Sequence, residues 1–196
     1  MPNPNDRRVR KTRAALRSAL EQLLHEKSLP DITVKELCAV SGLNRGTFYL
    51  HYQDVHALLD AIEHDLMTEF TAVLEPLTCA GAFAGPAPSP AMTAMFRFLA
   101  QNAAMCRALL CHNADNAFLE QVETFVHTRL VQEYGARFAG GDIVPEYAFS
   151  FVVSGCIGML QQWLEADMPL SAQRMAALVQ NIVARGFAAL TQGGVR

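Results

Sequence analysis

The chain has 196 residues, 51% of them hydrophobic and 18% charged, which suits one or two compact domains and excludes wholesale disorder. The net charge of −3 conceals an asymmetry: residues 1–56 hold nine Lys and Arg against six acids, and the other 140 hold seven Arg, no Lys and thirteen acids. A basic head on an acidic body points to local binding of nucleic acid, with a merely solvated tail as the plainer alternative. No apolar run reaches the ~18–20 residues of a membrane span, and the polar, basic N-terminus lacks the apolar stretch of a secretory signal. The expected setting is therefore cytoplasmic, with no membrane partner. Five cysteines, odd in number and without a C-x-x-C pair, favour reduced thiols over a disulfide framework. The histidines do not fall at metal-finger spacing, so neither metal nor cofactor is expected.

Hydrophobic periodicity is helical almost throughout. Leu16, Ala19, Leu20, Leu23 and Leu24 form the stripe of a first amphipathic helix, approached by the basic run Arg7–Arg17 and broken at Ser28-Leu29-Pro30-Asp31. Thr33-Val34-Lys35-Glu36 is a capping box, so a second helix starts at Val34, runs through Leu37, Cys38 and Val40, and ends at Gly42. Asn44 caps a third helix, Arg45 to Tyr52, with Phe48 and Tyr52 facing the core. Asp54 caps a fourth, carrying Leu58, Leu59, Ile62, Leu66, Phe70 and Leu74. Residues 76–90 are rich in Pro, Gly and Ala and read as a mobile loop. Further helices are predicted at roughly 91–102, 103–111, 115–138, 145–167 and 171–191, punctuated by Gly140-Gly141-Asp142, Pro145, Pro169 and a Ser171 cap. No segment alternates with the period of a strand. The fold class is all-α, with about nine helices: an arm and helix-turn-helix domain over 1–53 and a helical dimerisation and effector domain over 54–196.

Two short helices joined by a glycine turn, within roughly residues 12–56, fit helix-turn-helix geometry, with Leu37, Leu43 and Phe48 as the small core between them. Cys38 is small where the helices approach and is read as a packing residue. The third helix also carries a face that packing does not require: Arg45, Thr47, Tyr49, Leu50 and His51 lie off the Phe48/Tyr52 stripe. Gly46 leaves that helix without a side chain, at ~1 kcal/mol relative to alanine, which suits close approach to another surface such as a DNA groove. Thr33 and Lys35 sit at a helix start, where free amides favour a phosphate.

The run Ser41-Gly42-Leu43-Asn44-Arg45-Gly46-Thr47-Phe48-Tyr49-Leu50-His51-Tyr52, followed by Leu58-Leu59, resembles the signature of the TetR/AcrR family of transcription regulators over residues ~10–65. RGTFYLHY, with the later SGCIGMLQQWLEADMPLS, resembles a subgroup similar to regulators of dihydroxyacetone kinase genes. The resemblance implies a third helix in the major groove, with Arg45, Gly46, Thr47 and Tyr49 at base edges and nearby phosphates. Asn44 and His51 would touch the backbone, and Thr33 and Lys35 would hold phosphates from the second helix. Arg45 is the candidate for a bidentate guanine contact. Tyr49 is the candidate for a hydroxyl–phosphate bond with its ring on a thymine methyl. Where the family usually places Lys at the start of the fourth helix, this chain has Val55 followed by His56, so that phosphate contact is lost or taken over by His56 or the arm.

The last two helices carry apolar residues on more than one side: Tyr147, Phe151, Gly155, Gly158, Met159 and Trp163 on one, Met175, Leu178, Val179, Ile182, Gly186, Phe187 and Leu190 on the other. The resemblance implies that they form a four-helix homodimer interface, which suits a palindromic double-stranded operator; the plainer alternative is a monomer core. Candidates for an effector pocket are Met67, Phe70, Met95, Phe98, Met105, Phe118, Phe125, Met159 and Trp163, few charges interrupt these stripes, and an apolar or amphipathic small molecule is expected. Nothing resembles a phosphate loop, a nucleophile elbow or a zinc motif, so no enzyme is expected. A repressor released by its effector is the leading reading, against an activator or an effector-independent DNA binder. A redox sensor using Cys106 and Cys111 is opposed by their ~140° separation around a helix.

Overall fold

The structure, a computed structural model, describes residues 7–75, 87–111, 117–134 and 144–192, without the side chains of 130, 133, 134, 144, 145 and 187–192. Most of the expected 76–90 loop, Gly140-Gly141-Asp142, the Pro145 side chain, Cys79, His112 and the stripe positions Phe187 and Leu190 lie outside the described residues. Among the described residues the chain forms nine α-helices and no strand, packed as two units whose division falls after Leu66. No described helix is long and apolar enough to cross a membrane.

The first unit begins with α1 (Arg7–Leu24), whose buried residues Val9, Thr12, Leu16, Ala19, Leu20 and Leu23 recur at three- and four-residue steps and pack on the second helix. The basic run is thus the first turns of the helix itself, not an approach to it. Thr12 fills the stripe position that its polar residue type hid. A single 3-10 turn, Leu29–Asp31, follows, with the Ser28 hydroxyl donating to Asp31 at 2.7 Å.

Helix α2 (Val34–Ser41) starts on the expected capping box: the Glu36 amide donates to Thr33 Oγ1 at 3.3 Å and the Thr33 amide to Glu36 Oε2 at 3.0 Å. Lys27 pairs with the same carboxylate. Gly42 ends the helix at φ 69°, a left-handed turn that a Cβ would strain. Helix α3 (Arg45–Tyr49) is shorter than the sequence pattern indicates. The amides of both His51 and Tyr52 turn back to the Phe48 carbonyl, at 2.9 and 3.0 Å, so the last turn tightens and helical bonding stops. Helix α4 (Val55–Leu74) is capped by Asp54, whose carboxylate accepts from the Ala57 amide at 2.8 Å. Leu16, Leu20, Leu37, Phe48 and Leu58 are fully buried side chains of this unit.

The second unit contains the remainder of α4 with α5 (Pro90–Gln101), α6 (Ala103–Cys111), α7 (Ala117–Tyr134), α8 (Val144–Glu165) and α9 (Ala172–Gln192). Helix α5 packs on α9, and α6 and α7 pack on α8. Pro90 occupies the first helical turn of α5, where its missing N–H costs nothing, and the Ser89 hydroxyl caps the Met92 amide at 3.1 Å. The Ser89 amide in turn donates to the buried Gln180 of α9 at 3.0 Å. Helix α8 ends in a six-to-one turn: Met168 N donates to Trp163 O at 2.8 Å and Asp167 N to Leu164 O at 3.1 Å, with Pro169 next. Asp167, at φ 59°, stands where glycine is usual. Arg107 of α6 braces the turn, bonding Leu164 O at 3.0 Å and Asp167 Oδ1 at 3.1 Å. Ser171 caps α9 through the Arg174 amide at 3.3 Å, as expected.

Candidate nucleic-acid interface and effector cavity

Helices α2 and α3 pack together through buried Leu37, Cys38 and Phe48, which fixes the outward face of α3. The Asn44 side chain accepts from the Thr47 amide at 2.7 Å and from the Thr47 hydroxyl at 3.0 Å. Both polar side chains therefore hold the start of the helix. This cap also gives Gly46 a local reason, since a Cβ there would lie 3.3 Å from Asn44 Oδ1 and crowd it. Arg45 is exposed, Tyr49 is 58% exposed and Leu50 81% exposed, while Phe48 between them is fully buried. The Tyr49 ring stands edge-on to Phe48, centroids 5.5 Å apart, so its orientation is set by the core beneath it. His51 is half-buried beside Tyr52.

On α2, Lys35 is exposed, and the Thr33 hydroxyl is engaged by Glu36 at 2.7 Å. Contact with Lys27 and the Thr33 bonds hold the Glu36 carboxyl down to about 2. Burial raises the Cys38 thiol, which fits its packing role. Val55 is buried, so the position where the resemblance expects lysine belongs to the core, and exposed His56 is the polar group that follows it. Arg7, Arg8 and Lys11 of α1 border an open cleft with Thr12 and Leu43, the residue just before the α3 cap. The structure thus places the arm cations beside the turn between α2 and α3, a proximity the sequence spacing does not reveal.

The second unit contains a partly open cavity of about 110 Å³. Its wall is drawn from α4 (Phe70, Leu74), α5 (Met92, Met95, Phe96, Leu99), α7 (Val122, Val126), α8 (Val152, Val153, Cys156, Ile157, Leu160) and α9 (Val179, Val183). Every lining side chain is hydrocarbon or thioether except the Cys156 thiol, which burial pushes up to about 11. Of the sequence candidates, Phe70 and Met95 line the cavity. Phe98 and Phe125 stand behind it against Phe70, with ring centroids 6.3 and 6.4 Å away. Trp163 is core, its ring edge on Phe96 at 5.6 Å and its N–H on the Leu170 carbonyl at 2.9 Å. Met67, Met105, Phe118 and Met159 are not part of the wall. The valines of α7, α8 and α9 were missed, although Val122/Val126 and Val179/Val183 follow the four-residue helical step.

The described cysteines are free thiols, and burial also raises Cys111, with Glu165 adding to the shift. A raised Cys111 thiol is a poor nucleophile, which weakens the redox alternative further.

The described residues thus form a helix-turn-helix unit followed by an all-helical body. The model of the TetR-type transcriptional regulator C-terminal region matches residues 87–185, half of the chain. The chain belongs to the TetR family of transcriptional regulators. No curated protein matches its sequence. Among solved structures it is similar to the dihydroxyacetone kinase operon activator DhaS (13% identity, TM-score 0.55, 89% of this chain and 94% of that one). It is also similar to a TetR regulator from Streptococcus agalactiae (23%, 0.59, 91% and 96%) and to FadR from Bacillus subtilis in complex with stearoyl-CoA (14%, 0.64, 88% and 98%). At these identities the likeness carries the fold.

Proposed function

We propose that this protein is a homodimeric, sequence-specific repressor that binds a palindromic operator and is released by a compact, uncharged apolar effector. One observation carries the DNA-binding part: α3 turns Arg45, Tyr49 and Leu50 outward while its Phe48 is fully buried, next to exposed cations of α1. Arg45 is assigned to a base edge and Tyr49 to phosphate. Asn44, Thr47 and His51 position the helix against the backbone, and Lys35, Thr33 and His56 flank it. In this reading residues 1–53 read DNA and 54–196 dimerise and sense, while the first packed unit itself extends to Leu66.

The dimer reading is supported by apolar side chains left exposed on the last two helices: Phe151 at 77%, Tyr147 at 71% and Ile182 at 50%. Gly155, Gly158 and Gly186 are exposed within those helices, and a Cβ at any of them would meet nothing within 4 Å among the described residues. Helical glycines cost about 1 kcal/mol each relative to alanine, and close approach by a second backbone explains them.

The effector reading rests on the cavity. An ion in a wall without a charged or hydrogen-bonding partner is heavily penalised, so the occupant is uncharged where it is enclosed. About 110 Å³ is less than the ~150 Å³ of an engineered cavity that admits benzene, so a long acyl chain exceeds it as it stands. An activator reading has only the fold likeness to DhaS behind it. The test is size measurement of the purified protein together with titration onto its selected DNA, with and without short aliphatic alcohols. A dimer released from DNA by such a compound supports the proposal; a monomer, or a complex indifferent to every compound, contradicts it.

A further inference from the structure

Leu50 is the most exposed large apolar side chain among the described residues, at 81%. Its backbone is fixed: its amide donates to the Gly46 carbonyl at 3.2 Å, and the next two amides close onto Phe48. The backbone at Leu50 remains right-handed helical, at φ −71° and ψ −20°. Gly46, Tyr49 and Leu50 stand three and four residues apart and so share one face of α3. That face is bare backbone at Gly46, edged by the Tyr49 ring against Phe48 and by an aliphatic knob whose backbone is bonded into the helix. Leu50 contributes nothing to the core of its own unit, and its setting is cationic, with exposed Arg45 on the same helix and Arg7, Arg8 and Lys11 at the neighbouring cleft. A polyanion complements that charge better than a lipid or an apolar protein surface does.

Resting on the DNA-binding reading above, we propose that Leu50 is a specificity-determining residue that reads the 5-methyl group of a thymine in each operator half-site. Thymine alone among the four bases presents an apolar group in the major groove; the other edges present donors and acceptors. Leucine satisfies none of those polar groups and would strip water from them, which disfavours every base but thymine at that position. The step beyond the family fold is therefore a base and an atom, fixed by one exposed side chain.

The test begins with selection of bound duplexes by the intact dimer, followed by replacement of each thymine in turn by deoxyuridine, which removes the methyl and nothing else. One thymine per half-site is expected to respond in the intact protein and not in Leu50→Ala, whereas a thymine under the Tyr49 ring would respond equally in both. Loss of one buried methyl is worth about fourfold in affinity, hence about fifteenfold when both half-sites are changed. Leu50→Ala, an exposed substitution expected to leave the melting temperature unchanged, should bind thymine and deoxyuridine operators within about 1.5-fold of each other while still discriminating at the other positions. If deoxyuridine has no effect at any thymine, or if Leu50→Ala shows the same loss as the intact protein, the proposal is overturned although the DNA-binding reading stands. If no sequence is selected at all, that earlier reading fails, and a protein surface becomes the occupant to seek for the knob.

Discussion

On the proposed DNA-binding reading, the cations of α1 predict a salt dependence of definite size. Arg7, Arg8 and Lys11 are exposed and border the cleft beside the α2–α3 turn. Each phosphate neutralised by a cation lowers the slope of log affinity against log salt by about 0.9, so three contacts contribute about 2.7 per protomer and about 5.4 for a two-fold dimer. Raising salt fourfold, from 50 to 200 mM, should then weaken the intact protein about 2,000-fold more than a variant with all three changed to Gln. The assay is fluorescence anisotropy on a labelled operator and on a random duplex across that range. Because the three side chains are exposed, the variant should keep its helix content and melting temperature. Sequence preference should be unchanged, since these contacts carry no base information. A slope equal to that of the intact protein would refute the reasoning, and would show that the cations beside the turn are solvated rather than used.

Three further outcomes are expected. Gly155→Ala with Gly158→Ala should stabilise the isolated helices by up to about 2 kcal/mol in propensity while weakening dimerisation in sedimentation equilibrium; an unchanged dimer constant would remove the close-approach explanation. Filling the cavity with a short aliphatic ligand recovers at most about 24 cal/mol per Å³, or about 2.6 kcal/mol for 110 Å³, a rise of roughly 5–10 °C in melting temperature. A larger rise with a long-chain compound than with a short one would contradict the size limit. The Glu36 carboxyl, held down to about 2, stabilises the folded state fully above the ordinary carboxylate value of 4.5 and loses that contribution as pH falls toward 2. Glu36→Gln should therefore flatten acid unfolding between pH 4.5 and 2, followed by circular dichroism; an unaltered acid limb would mean that the Lys27–Glu36 pair does not stabilise the fold.

Local chemistry was the legible part of this sequence. Thr33, Gly42, Asn44, Asp54 and Ser171 each act within three or four residues of themselves, and the structure places every one of them in its expected cap or turn. The start of α1 was hidden because Thr12, a polar type, is buried in its stripe. The end of α3 was hidden because a single carbonyl, that of Phe48, gathers two successive amides, which no side-chain pattern encodes. Gly46 shows a residue with two readings: spacing suggested an approaching surface, and the structure adds the crowding of the Asn44 cap. The cavity was least legible. Its wall is assembled from five helices, and residue type separates neither a filled buried face from one facing a gap nor Trp163, which is spent on Phe96 and Leu170, from a ligand wall. Valines at helical spacing line much of the gap, alongside Phe70 and Met95 of the methionine and aromatic candidates.

The central claim is that the outward face of α3 recognises a DNA sequence, and selection from a random duplex library, run in parallel with the intact protein and Tyr49→Ala, addresses it most directly. The intact protein should enrich one palindromic sequence, and the variant, equally folded and equally dimeric, should enrich none. Enrichment of the same sequence by both proteins, or of no sequence by the intact one at any ionic strength, would contradict the account.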